Sequence, residues 1–109
     1  MDERDKALIL ELKKRLSSVL ESHMKRIIVF GSRVRGEAAE ESDLDVIALV
    51  DEKAPEIEKK LEDVVYQVMW DHDFKPIVSL KVFSESQFYD ALHRGFSFYR
   101  QVEKEGMVV

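Results

Sequence analysis

Asp43 and Asp45 stand two residues apart at the head of an apolar run that ends at Val50. With ten residues between it and Asp43, the pair Gly31-Ser32 closes another apolar run, Arg26 to Phe30. Side chains alternate along a strand, so both carboxylates of an Asp-Leu-Asp strand point to one face, about 7 Å apart. Placed there alone they repel each other and lose hydration. A hard cation relieves both costs, and Mg²⁺ takes one or two carboxylates with waters and substrate phosphates, without a closed protein cage. A glycine after a strand lets the backbone come close to a ligand. Backbone N–H groups beyond it can face a phosphate where a helical turn follows. Ser32 adds a hydroxyl, and Arg33 and Arg35 add cations nearby. This is the chemistry of a metal-assisted phosphate site. Gly31 and Gly36 also have the G-x₄-G spacing of a P-loop, but Glu37 and Ala38 follow in place of Lys and Ser/Thr, so that signature fails.

The elements that must hold these residues follow from periodicity. Leu8, Leu12, Leu16, Val19 and Leu20 recur at helical spacing from about Asp5 to Glu21. Arg26 to Phe30 reads as a buried strand ended by Gly31, and Asp43 to Val50 as a second. Pro55 suits the first turn of a helix whose stripe runs through Ile57, Leu61, Val64, Val65, Val68 and Met69. Ile77 to Phe83 is a third strand. Ser84 with Gln87 resembles a capping box opening a helix that Gly95 can end. A last helix spans about Ser97 to Glu105, with Gly106 ending it before the tail Met-Val-Val. The strands flanking the Pro55–Met69 helix suit parallel neighbours joined by a crossover. The fold expected is α/β, or α+β by a stricter count: a small mixed sheet with helices mainly on one face and the other partly open.

The chain has 109 residues, 45% apolar and 36% charged, which suits a single folded domain over residues 1–109. A net charge of −5 argues against non-specific nucleic-acid binding. There is no cysteine, hence no disulfide or thiolate metal site. No apolar run approaches the ~20 residues a membrane span needs. The acidic, charged N-terminus does not read as a secretory signal, and a cytoplasmic protein is the default.

Gly31-Ser32, ten residues, then Asp43-Leu44-Asp45 matches the GS-x₁₀-D-x-D signature of the DNA polymerase β-like nucleotidyltransferase superfamily. The stretch GSRVRGEAAEESDLDV and the ending FYRQVEKEG resemble its minimal stand-alone members, which are often paired with a HEPN-domain protein. The resemblance implies that Gly31 and Ser32 bind nucleotide phosphates, with Arg33 counted beside them, and that Asp43 and Asp45 are catalytic ligands for Mg²⁺ or Mn²⁺. It implies transfer of a nucleoside monophosphate from an NTP, with ATP expected, to an acceptor hydroxyl. The acceptor can lie on a partner protein, as for the antitoxin of a toxin–antitoxin pair. The family's third carboxylate belongs on the next strand, where Ser79 holds the expected position and Lys81 shares its face. Three readings stay open: the site works with two carboxylates, Lys81 replaces part of a second metal's charge, or activity is lost. In the last case the chain is a binding module that neutralises a HEPN-type partner by contact.

Blander readings accompany these. Arg33 and Arg35 could pair on the surface with Glu37, Glu40 or Glu41. Asp71-His72-Asp73 reads as a solvated turn, and His23 and His93 as surface residues. Trp70, Phe74, Phe88, Phe96, Phe98 and Tyr99 are expected to pack in a core or a subunit contact.

Overall fold

The computed structural model describes residues 3–36 and 42–109. The element order is α1 (Glu3–Val19), β1 (Met24–Phe30), α2 (Ser32–Arg35), β2 (Leu44–Val50), α3 (Pro55–Asp71), β3 (Val78–Ser84), α4 (Glu85–His93), α5 (Ser97–Glu105) and β4 (Met107–Val108). The expected helices and strands are present, with ends shifted by a residue or two. Pro55 opens α3, where its missing N–H costs nothing. Ser84 caps α4 by accepting a hydrogen bond from the Gln87 N–H at 3.2 Å. Gly106 follows α5 with an ordinary φ of −75°. A Cβ there would collide with the Val102 carbonyl oxygen and stand 2.7 Å from Ile28 Cγ2, so close packing is what requires glycine.

The sheet is mixed, in the order β3-β2-β1-β4. β1 pairs antiparallel with β2, and β2 pairs parallel with β3 across the α3 crossover. The tail, left unassigned by periodicity, contributes β4, which pairs antiparallel with β1 through Val108 opposite Ile28.

β2 is an inner strand, and Leu44 and Val46 through Val50 are all 0% exposed. Its even-numbered residues, with Ile27, Val29, Val78 and Val82, pack under α1 and α3. The other face is covered more narrowly. Ile28, Ile47 and Leu49 meet Phe88 of α4 and Val102 of α5, edged by Phe30, Phe83, Phe98 and Tyr99. Phe83 makes edge or tilted ring contacts with Phe88, Phe98 and Tyr99 at 5.6–6.3 Å between centroids. This wedge protects the second face from Ile47 onward and leaves the Asp45 end open.

Candidate active site

Asp45 is the one residue of β2 that is not fully enclosed; it is half-buried, and Asp43, just before the strand, is exposed. Burial is the main influence on the Asp45 carboxyl and pushes its pKa above the usual carboxylate value. The Lys81 ammonium pulls it back down, and the Asp43 carboxylate pushes it up. The strand thus breaks its apolar pattern where it leaves the cover of α4 and α5.

Gly31 reaches the same place from β1, whose last residue, Phe30, lies opposite Asp45. Its backbone has φ 98° and ψ −171°, a combination accessible essentially to glycine alone. A Cβ at this position would stand 2.5 Å from Asp45 Oδ2. Gly31 and Asp45 are therefore brought together directly, with the half-buried Ser32 opening α2 beside them.

Arg33 is placed otherwise than the sequence suggests. It is 8% exposed. Its Nε and one terminal nitrogen donate to both carboxylate oxygens of the buried Asp5 at 3.0 and 3.1 Å. Its other terminal nitrogen donates to the Ser42 carbonyl at 2.8 Å. With donors spent on α1 and on the residue preceding Asp43, the guanidinium ties the helix to the start of the Asp-Leu-Asp segment. Arg35 pairs with Glu105 at 3.3 Å. The acids first considered for these arginines, Glu37, Glu40 and Glu41, lie outside the described residues.

On β3, Ser79 is the direct register partner of Asp45, and Lys81 follows opposite Ile47. Neighbouring partners share a face, so Ser79 and Lys81 stand with Asp45 on the side away from α1 and α3. Ser79 is half-buried and Lys81 exposed. Among the described residues no group of three or more His, Cys, Asp or Glu side chains could hold a metal ion. The pair Asp43 and Asp45 offers hard oxygen donors that fit one Mg²⁺ or Mn²⁺ completed by water and phosphate. It does not supply the third acid of a two-metal site.

Other candidates fall elsewhere. Asp71 accepts from Arg15 at 2.8 Å at the end of α3, and His23 pairs with Asp51 at 2.9 Å. Phe88, Phe98 and Tyr99 belong to the second core, but Trp70 and Phe96 are exposed, at 61% and 55%. Sequence reasoning missed a cavity of about 370 Å³ between the start of α1 and the turn before β3, lined by Arg4, Asp5, Arg33 and Phe74 to Ile77. Neither aspartate of the carboxylate pair lines it. Asp73 and Phe74, both at positive φ, shape this turn, and only the Asp-His-Asp-Phe-Lys-Pro break in the helical pattern hinted at it.

The sequence profile described as nucleotidyltransferase domain matches residues 9–108. The chain belongs to the nucleotidyltransferase family. A relative from Methanocaldococcus jannaschii, provisionally named protein adenylyltransferase MJ0141, is 36% identical over 83 residues, covering 72% of this chain and 83% of the relative. A solved structure, described as a toxin–antitoxin with AMP-PNP, superposes with a TM-score of 0.53 at 19% identity, covering 88% of this chain and 70% of that one. That likeness shows a shared fold. No described helix is long and apolar enough to cross a membrane.

Proposed function

We propose that this nucleotidyltransferase moves AMP from ATP to a hydroxyl on a partner protein, with one divalent cation of the Mg²⁺ type held by Asp43 and Asp45. The observation that carries the reading is the contact between the Gly31 turn and Asp45. A backbone stripped of its Cβ lies against a carboxylate at the open end of the sheet, as a site that must take phosphate and cation together requires. The Methanocaldococcus jannaschii relative supports AMP as the transferred group and a protein as acceptor. The toxin–antitoxin neighbour supports a paired partner, for which a HEPN-type protein is the choice.

In the reaction the acceptor oxygen bonds to the α-phosphorus, the bond from that phosphorus to the β-phosphate oxygen breaks, pyrophosphate leaves and the hydroxyl proton passes to water. When bound, the cation offsets phosphate charge and polarises the reacting phosphoryl group. Gly31 keeps the approach to the phosphates clear, and Ser32 offers a hydroxyl to them. Arg33 is a positioning residue, holding Ser42 and thereby the start of the aspartate segment.

Ser79 at the third-acid position favours one other reading, a module that neutralises its partner by contact alone. The two separate when ATP labelled at the α-phosphate is incubated with Mg²⁺, this protein and the HEPN-type product of an adjacent gene. Transfer adds the mass of one AMP to the partner, and Asp45→Asn abolishes it. Partner binding without any adduct would leave the module reading standing.

A further inference from the structure

We infer that the site works with a single protein-held divalent cation and that the Lys81 ammonium occupies the electrostatic place of a second; this rests on the nucleotide-transfer reading above. Three observations converge. Ser79, directly opposite Asp45, supplies no charge where a third carboxylate would bridge to another ion. Lys81 lies one step diagonally from Asp45 on the same open face, roughly 8 Å between side-chain origins, within reach of a lysine's flexible stem. The neighbours that share this face, Ile47 and Phe83, sit beneath the α4–α5 wedge, whereas Lys81 is exposed, between the covered end and the open one. A fixed positive charge there repels a second cation and attracts the phosphates of an incoming nucleotide.

Lys81 also lies on β3, the edge strand, where a lysine commonly serves to discourage strand pairing. Metal stoichiometry separates the two roles. Mn²⁺ is titrated into the protein saturated with a non-hydrolysable ATP analogue and followed by electron paramagnetic resonance. Wild type is expected to bind one Mn²⁺ per chain without spin coupling to another. Lys81→Ala is expected to keep that stoichiometry while tightening Mn²⁺ roughly fivefold, the effect of removing one positive charge at this distance from a dication in water, and to weaken the analogue measured without metal. Ser79→Asp combined with Lys81→Ala, or Lys81→Glu alone should the double variant fail to fold, is expected to bind a second Mn²⁺ coupled to the first. Two coupled ions in wild type would overturn the inference, and so would Mn²⁺ and analogue affinities unmoved by Lys81→Ala. No Mn²⁺ binding at all in wild type would instead sink the nucleotide-transfer reading beneath it.

Discussion

Gly31→Ala tests the physical link between the two halves of the motif. The substitution carries two separable costs. The backbone conformation, φ 98° and ψ −171°, is one that a residue with a Cβ holds only at about 1–3 kcal/mol. The added methyl also meets Asp45 Oδ2 at 2.5 Å, so the carboxylate must swing away, at roughly 0.5–1.5 kcal/mol for a displaced rotamer. Together the loss is about 2–4 kcal/mol, a large share of the stability of a domain this size. In an Asp45→Ala background the second cost disappears, because the Asp45 Cβ lies 3.8 Å away, an ordinary contact. Urea unfolding of the four proteins should show Gly31→Ala costing about 1 kcal/mol less without the carboxylate. Nucleotide-dependent Mn²⁺ affinity of Gly31→Ala should fall as far as in Asp45→Asn, because the displaced carboxylate is one of the two assigned to the ion. An equal cost in both backgrounds, with Mn²⁺ affinity intact, would refute the coupling and reduce Gly31 to a turn residue.

Asp5→Ala takes from the buried Arg33 guanidinium the carboxylate that two of its nitrogens donate to, and should lose on the order of 3 kcal/mol in thermal or urea unfolding. Asp5→Leu with Arg33→Met should recover much of that, and a wild-type-like single variant would show the pair to be idle. Ser84→Ala removes the α4 cap and should cost about 1 kcal/mol, seen as a Tm lowered by about 5 °C. The Arg15 hydrogen bond holds the Asp71 carboxyl below its usual pKa, with Gln67 assisting. A depressed carboxylate adds stability above its unfolded pKa and loses it as pH falls through the folded one. Arg15→Ala should therefore raise the Asp71 midpoint by NMR titration, and its stability deficit against wild type should vanish at acid pH.

The sequence carried the sheet's strands and faces because alternation and helical periodicity are local. Val78, Leu80 and Val82 on one side, with Ser79 and Lys81 on the other, could be assigned before any pairing was known, and the register then set Ser79 opposite Asp45. The two-residue β4 could not be read, since so short and exposed a segment has no period to detect. The Asp5–Arg33 pair was also hidden. Its members lie 28 residues apart, and a charged residue at a helix start looks like ordinary surface until tertiary packing encloses it. The same limit hid which of the expected aromatics the chain's own core would enclose, and Trp70 and Phe96 are exposed. That α4 and α5 would wedge over the second face and stop at Ile47 is likewise a property of long-range packing.

The pairing of β1 with a strand made roughly 80 residues later, Ile28 with Val108, has a consequence for how the protein is made in a cell. As the chain leaves the ribosome, α1, β1 and β2 can associate early, and β3 follows once α3 has closed its crossover. Throughout that interval the apolar Ile27–Phe30 backbone keeps one edge without its partner, the kind of edge that recruits foreign strands. Residues 107–109 close it. Val109 donates to the Ile27 carbonyl at 3.0 Å, and Gly106 lets α5 settle against Ile28. Changes in residues 106–109 therefore bear first on how much protein escapes aggregation during synthesis, and only afterwards on the nucleotide site just beyond the same end of β1.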